Sequence, residues 1–108
     1  MGLGTDTGGS IRIPACFTGI VGHKTSVGRW PTGGVFSLSR TLDSIGPLCR
    51  TVNDAALLHQ LITGEQVTSR EGIKGLRLGI VEDLFMDDLD PKVATDFEHT
   101  CQLLEQAG

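Results

Sequence analysis

The residues of this chain that could carry out chemistry stand together in the segment from Thr7 to Ser10. Consecutive amides of a glycine-rich turn can point into one concavity, and such a nest binds an anion. Amides that converge in this way stabilise the oxyanion of a tetrahedral intermediate, and a serine at the rim can supply the attacking hydroxyl. The segment is therefore compatible with acyl transfer by Ser10. It also fits a simpler structure, in which Gly8 and Gly9 make a turn and Ser10 caps a helix.

Other chemistries that use glycine-rich loops do not fit the sequence. Gly2 and Gly4 lack the third glycine of a dinucleotide-binding loop, and no Gly-Lys-Ser/Thr of a phosphate loop is present. Arg12 stands where a nucleophile elbow of the G-x-S-x-G type needs its last glycine. The acidic residues between Glu82 and Asp90 lack the spacing of a calcium loop. The histidines are not spaced as metal ligands: His23, His59 and His99. We therefore expect neither a metal nor a cofactor.

Composition places the chain among soluble globular proteins, since 39% of its residues are hydrophobic and 20% are charged. The net charge is −4, and the sequence contains no basic stripe that could follow a phosphate backbone. No nucleic-acid partner is therefore expected. No apolar run is long enough to span a bilayer, so no membrane is expected. The three cysteines form no C-x-x-C and predict reduced, mostly buried thiols in a cytoplasmic protein: Cys16, Cys49 and Cys101.

The first half of the chain predicts irregular backbone and weak strands. Residues 1–9 alternate glycine and threonine, which is typical of a loop rather than a strand or helix. Ser10 then begins a short helix that ends by Gly19, with Pro14 tolerated if it lies in the first turn. Two further segments are weaker: a strand within 20–27, and 45–49, at best an edge or bulged strand because it contains Gly46-Pro47.

The second half has clearer signals. Thr51 and Asp54 form a capping box ahead of an apolar stripe, which predicts a helix that stops at Gly64. Residues 76–81 alternate as a strand does, and Asp90-Pro91 begins a last helix that runs to about Gln106. The order helix, strand, helix, strand, helix predicts the α/β class. Two or three strands cannot cover so many helices, so we expect residues 1–108 to be part of one larger domain, with no separate second domain.

The run from Gly2 to Ala15 resembles the second half of the amidase signature. The matching positions include Gly4, Asp6, Gly8, Ser10, Ile11, Arg12 and Pro14. Further stretches are similar to the same family: 17–24, 39–48, 50–56 and 75–79. The similarity therefore spans nearly the whole chain and is most specific in the signature.

The resemblance implies the amidase-signature fold, a mixed β-sheet wrapped by helices, of which residues 1–108 would be an incomplete central portion. It implies Ser10 as the catalytic nucleophile. It also implies an oxyanion hole made of the backbone amides of Thr7, Gly8, Gly9 and Ser10. Asp6 and Arg12 flank the nucleophile with opposite charges, and we expect them to brace the loop rather than act on the substrate. No cofactor and no metal are implied.

The same resemblance shows what this chain lacks. In the family a second serine, held in a cis peptide, activates the nucleophile and is deprotonated through a neutral lysine. Both lie upstream of the matching block and have no counterpart in these 108 residues. Lys24 matches a lysine downstream of the nucleophile, in a segment where the family usually continues with proline and this chain has Thr25. We therefore expect the whole enzyme to hydrolyse a small-molecule amide, and this chain alone to be inactive.

Three alternatives stay open on the sequence alone. The chain could derive from the A subunit of a glutamyl-tRNA(Gln) amidotransferase, the one case in which a nucleic-acid partner would be expected. It could be a non-catalytic remnant or binding module that keeps the same blocks. It could also be an unrelated α/β domain whose glycine-rich loop binds an anion. The sequence does not identify the amide or the oligomeric state.

Overall fold

The computed structural model describes residues 1–68, 72–83 and 85–108. The chain forms two compact units, Met1–Thr68 and Ser69–Gly108. The first unit contains the strands β1 (Gly2–Asp6), β2 (Val21–Gly22) and β3 (Ser44–Cys49) and the helices α1 (Arg12–Thr18) and α2 (Val52–Thr63). The second contains the helix α3 (Pro91–Ala107). Helices with a small sheet agree with the predicted α/β class.

The sheet of the first unit has the order β1-β3-β2, and both neighbours run antiparallel to β3. Two predictions are corrected here. Residues 2–6 form a strand and not a loop, because β1 pairs along its whole length with β3. Glycine and threonine alternation gives little strand preference by itself, so this strand depends on a contact remote in sequence.

The position of β3 is the second correction, because this strand lies at the centre of the sheet rather than at an edge. Pro47 has no N–H to donate, but its carbonyl accepts a hydrogen bond of 3.1 Å from the amide of His23. In an antiparallel pair the N–H and C=O of one residue face the same neighbour, so the missing N–H also faces His23. The ladder ends there, which explains why β2 stops at Gly22 instead of continuing toward Val27 as predicted.

The core of this unit is organised around Ile11, whose side chain is completely buried. Each strand presents a glycine to it: an added Cβ would lie within 3.2 Å of an Ile11 side-chain carbon at Gly4, at Gly22 and at Gly46. At Gly46 the added atom would also lie 1.9 Å from the carbonyl oxygen of His23. The large side chain of Ile11 can therefore pack against the sheet only because each of the three strands has a glycine, which has no side chain, at the point of contact. This packing fixes the residue next to Ser10.

The helix ends follow local rules, with one exception. In α2 the amide of Asp54 donates to the hydroxyl of Thr51 and the amide of Thr51 donates to the carboxylate of Asp54, each at 3.1 Å. This confirms the capping box, and Gly64 ends the helix in a left-handed conformation as predicted. Pro14 lies in the first turn of α1, the position in which it is tolerated, but the N-cap of α1 is Ile11. The prediction that Ser10 caps this helix is wrong.

The second unit confirms one prediction and overturns another. Asp90 accepts hydrogen bonds from the amides of Lys92 (2.8 Å) and Val93 (3.4 Å), so it caps α3 with Pro91 at the first helical position. Residues 76–81, in contrast, do not form a strand, since no neighbour in the described ranges builds a ladder with them. The alternating side chains instead line a groove of about 410 Å³ together with residues of α3, among them Leu76, Leu78, Phe97 and Leu104.

All three cysteines are free thiols. Cys49 is buried and Cys101 is half-buried, but Cys16 is exposed on α1, so the prediction of mostly buried thiols fails for Cys16. Within the described ranges, no helix combines the length and the apolar character needed to cross a membrane.

Candidate active site

The loop that joins β1 to α1 carries the predicted nucleophile. Ser10 is exposed and lies immediately before Ile11 and the first turn of α1. Gly9 has a φ of +140°, and a Cβ at this position would lie 2.6 Å from Cδ1 of Ile13. Only glycine fits this backbone. The carbonyl of Gly9 then accepts a hydrogen bond of 2.7 Å from the amide of Ile13, which turns the chain into the helix.

The carboxylate of Asp6 holds this loop from its inner side, with no exposed surface on the residue. It accepts hydrogen bonds from the amides of Gly9 (2.8 Å), Ile11 (3.2 Å) and Arg12 (3.4 Å). Two further bonds come from Nε and Nη2 of the Arg12 side chain, both at 3.0 Å. The side chain of Asp6 therefore satisfies the amides at the start of α1 that a cap from Ser10 was predicted to satisfy.

These contacts stabilise the ionised form of Asp6. The hydrogen bonds from the Arg12 side chain are the largest influence, and together with the backbone amides they lower the pKa of Asp6 to about 2, although burial opposes the shift. The pKa of Arg12 is raised in turn by its hydrogen bonds to Asp6. The Asp6 carboxylate is thus negatively charged at neutral pH, and the hydrogen-bond donors of the loop and of Arg12 stabilise that charge.

The predicted oxyanion donors divide into two groups. The amide of Gly9 points to Asp6 and is engaged there. Among the residues that the structure describes, no hydrogen bond uses the amides of Thr7, Gly8 or Ser10. Three of the four predicted donors therefore make no hydrogen bond within the described residues, and the fourth, Gly9, is bonded to Asp6.

A second carboxylate, which the sequence reasoning did not single out, holds the same loop from the other side. The hydroxyl of Thr7 donates a hydrogen bond to Oδ1 of Asp43. Next to it, the hydroxyl of Ser44 donates to the backbone carbonyl of Asp6 at 3.1 Å. Asp43 and Ser44, at the junction with β3, therefore contact Thr7 and Asp6, at the junction of β1 with the nucleophile loop. The available signal was that Asp43 lies inside 39–48, one of the blocks that resemble the amidase family.

No candidate base contacts Ser10 within the described ranges. The ammonium of Lys24 donates to the carbonyl of Thr25 at 2.9 Å. The ring of His23 lies 6.1 Å from that of His59, and burial is the first cause that lowers the pKa of His23, followed by the charges of His59 and Lys24. His59 accepts a hydrogen bond of 3.2 Å at Nδ1 from the indole of Trp30. These contacts join the side chains to one another or to Thr25, and none of them is a hydrogen bond to Ser10.

In the part of the chain that the structure describes, no group of three or more His, Cys, Asp or Glu side chains could hold a metal ion. The loop presents an exposed Ser10 next to backbone amides that make no hydrogen bond within the described ranges.

Comparison with known proteins gives one family. The model of the Amidase family matches residues 1–108. The chain is 45% identical to 2-amino-5-chloromuconic acid deaminase of Comamonas testosteroni, covering 100% of this chain and 24% of that protein. It is 42% identical to mandelamide hydrolase of Pseudomonas putida, covering 98% and 21%. It is 40% identical to the A subunit of the glutamyl-tRNA(Gln) amidotransferase of Syntrophobacter fumaroxidans, covering 98% and 25%.

A solved structure shares the fold. The chain superposes on a crystal structure of an amidase with a TM-score of 0.83 and 42% sequence identity, over 96% of this chain and 24% of the other. The small sheet with its helices is thus part of the α/β fold of an amidase. The chain spans about a quarter of the length of the relatives that it matches.

Proposed function

Since this chain belongs to the amidase family, we propose that it supplies the nucleophile and oxyanion hole of an enzyme that hydrolyses a carboxamide. The observation that carries the proposal is the β1–α1 loop, in which the exposed Ser10 stands beside three unengaged amides. Backbone donors that are already in place cost no reorganisation when charge develops on the substrate oxygen. The loop is held by Asp6 before any substrate binds.

The chemistry assigned to Ser10 is a two-step acyl transfer. Its oxygen attacks the amide carbon, the C–N bond breaks with release of ammonia or an amine, and water then cleaves the acyl-serine to give the acid. A serine hydroxyl attacks poorly at its ordinary pKa and needs a base within hydrogen-bond reach. The described residues place none there, so we propose that the base comes from outside these 108 residues. The lysine and bridging serine of the family are the candidates.

The remaining residues of the loop receive positioning roles. We assign the oxyanion to the amides of Thr7, Gly8 and Ser10, and we assign the amide of Gly9 to the loop itself because Asp6 already accepts from it. Asp6 and Arg12 brace the loop through their bidentate contact. Residues 1–108 belong to one amidase domain in this proposal, and the family match over their full length supports it.

We propose that the substrate is a small-molecule amide. We place the enzyme in the cytoplasm, because the three free thiols fit a reducing compartment. A second candidate is the A subunit of a glutamyl-tRNA(Gln) amidotransferase, which passes ammonia to a partner. It is favoured by the relatives of that name. A partner protein that co-purifies with the chain and consumes the released ammonia would select this second candidate.

The test measures ammonia released from a panel of small carboxamides. The samples are the purified chain, its Ser10→Ala variant, and each of these mixed with a separately expressed segment that carries the lysine and bridging serine of the family. We expect turnover only in the mixture with intact Ser10, since loss of a base costs several orders of magnitude in rate.

Two results would contradict the proposal. Turnover in the mixture that survives Ser10→Ala would remove Ser10 as the nucleophile. Ser10-dependent turnover by the chain alone would show that a residue within it, such as Lys24 or His23, serves as the base. Mass spectrometry of a covalent fluorophosphonate adduct adds an independent readout, because the label should be found on Ser10.

A further inference from the structure

Asp43 connects two loops that are distant in sequence. Its carboxylate accepts hydrogen bonds from the hydroxyl of Ser37 (2.9 Å) and from the amides of Leu38 (2.8 Å) and Ser39 (3.0 Å). Its Oδ1 also accepts from the hydroxyl of Thr7, in the nucleophile loop. The turn at 37–39 and the β1–α1 loop are therefore anchored by the same group, the Asp43 carboxylate.

The orientation of this anchor is fixed by its partners. A carboxylate offers about four acceptor sites, and four donor groups occupy them here. The pKa of Asp43 is lowered, first by the Thr7 hydroxyl and then by the donors of Ser39, Ser37 and Leu38, although desolvation opposes the shift. The carboxylate thus stays ionised at neutral pH and cannot turn away from Thr7 without losing several bonds.

The neighbouring residue strengthens the connection. Ser44 is buried, pairs with Asp6 in the sheet, and donates from its hydroxyl to the carbonyl of Asp6 at 3.1 Å. Asp6 and Thr7 are thereby held through consecutive residues at the start of β3. The peptide that carries the Thr7 amide lies between these two bonded groups, the carbonyl of Asp6 and the side chain of Thr7.

We propose that Asp43 is a positioning residue for the oxyanion hole, which it orients by holding the side chain of Thr7 so that the Thr7 amide faces the reacting carbonyl. This inference rests on the proposed function, because it assigns Thr7 as an oxyanion donor. Donors must be held within about 0.5 Å of the productive geometry to stabilise a transition state. Asp43 itself does not touch the substrate and does not exchange a proton in the reaction.

The key variant is Thr7→Val, which keeps the shape of the side chain and removes only the hydroxyl. Asp43→Asn removes the charge but also disturbs the turn at 37–39, so it is used together with the first variant in a double-mutant cycle. Ser37→Ala is the matched control, because it removes one bond to Asp43 without changing Thr7. All variants are assayed in the active mixture described under the proposed function, with kcat and KM determined separately.

We expect Thr7→Val and Asp43→Asn each to lower kcat about tenfold or more with little change in KM, since loss of a whole oxyanion donor costs about 100-fold to 1,000-fold. The double variant should be no slower than the slower of the two single variants, because both changes weaken the same hydrogen bond: Val cannot donate it, and Asn keeps only one acceptor oxygen. Thr7→Ser should recover most of kcat because it keeps the hydroxyl. Ser37→Ala should stay within about twofold of the unmodified protein, a change too small to count as loss of a donor.

Amide hydrogen exchange gives a readout that does not depend on activity. The amide of Gly9 is the reporter, because it is hydrogen-bonded to Asp6 in the same loop. Its exchange should become faster in Thr7→Val and Asp43→Asn and stay unchanged in Ser37→Ala. An unchanged kcat in Thr7→Val, additive losses in the double variant, or unchanged exchange at Gly9 would each overturn the inference. If Ser10→Ala is inactive while Thr7→Val is fully active, only this inference fails. If Ser10→Ala stays active, the proposed function fails.

Discussion

The guanidinium of Arg12 lies side-on against the buried carboxylate of Asp6, with Nε 3.0 Å from Oδ2 and Nη2 3.0 Å from Oδ1. The two partners are unequal, because the side chain of Asp6 has no exposed surface while that of Arg12 is 53% exposed. A buried carboxylate is costly unless its acceptors are filled. The loop around Ser10 supplies three amides to fill them, so the fold of this loop and the charge of Asp6 depend on each other.

Asp6→Asn should lower the free energy of unfolding by about 2 to 3 kcal/mol, because hydrogen bonds to a charged group contribute about 1.5 to 3 kcal/mol and the amide nitrogen of Asn cannot accept. Urea denaturation measures the change. Asp96→Asn is the matched control: Asp96 pairs with Lys92 at 2.8 Å but is 65% exposed, so its loss should cost less than about 1 kcal/mol. Equal changes in the two variants would contradict the role given to Asp6.

Stability should also depend on pH in a defined window. The pKa of Asp6 falls from 3.8 to about 2 on folding, so its contribution is present above pH 3.8 and is lost as the pH falls toward 2. The loss should be about 2 kcal/mol. The lowered pKa of Asp43 acts in the same direction. Urea midpoints between pH 6 and pH 2 test this, and Asp6→Asn should show a flatter profile. An equally steep profile in Asp6→Asn would exclude Asp6 as the main titrating group.

Gly9→Ala should destabilise the protein by about 2 kcal/mol or more, because its φ of +140° strains an L-residue and the new Cβ would lie 2.6 Å from Cδ1 of Ile13. Gly33→Ala is the control, since a Cβ there meets nothing within 4 Å and the backbone has no positive φ. That control should be neutral or stabilise the protein by up to about 1 kcal/mol. Thermal unfolding distinguishes the two, and similar melting temperatures would count against the described conformation of Gly9.

Thr51→Ala should cost about 1 kcal/mol, as the loss of an N-cap side chain usually does. Thr51→Ser keeps the hydroxyl that accepts from the amide of Asp54, so it should retain most of the stability. Chemical denaturation of the three proteins measures both changes. If Thr51→Ala leaves the midpoint unchanged in a folded sample, then the capping box does not contribute to the stability of α2.

Signals that lie within one turn of the chain were predictable from the sequence. Thr51 and Asp54 bond to each other across three residues, and Asp90 bonds to the amides of Lys92 and Val93. Such pairs need no distant partner, so residue types at the right spacing suffice. The signature around Ser10 also lies in one short segment, but it was identified by resemblance to the amidase family, since the residue types alone equally fit a turn followed by a helix cap.

The strands were harder to predict because a strand is stabilised by its neighbours. Residues 76–81 alternate apolar side chains with other residues as a strand does, and still form no strand. Residues 2–6 lack this pattern, and yet they pair along their whole length with β3. Pro47 indicates an edge or bulged strand by sequence, but its missing N–H faces the end of β2, and the strand lies at the centre of the sheet. In each case the outcome depended on which segment lay alongside.

The sequence by itself determined the two ends of α2, the N-cap of α3, the α/β class and the family signature that contains Ser10. The caps and the signature depend on residue types at short spacing. Only the tertiary structure decided that the Gly9 amide donates its hydrogen bond to Asp6 and that Asp43 accepts a hydrogen bond from the hydroxyl of Thr7. It also decided that Ile11 packs against a glycine of every strand. The physical reason is the same for these contacts: a hydrogen bond or packing contact is specified by positions in space, and the sheet brings together residues that the chain keeps far apart.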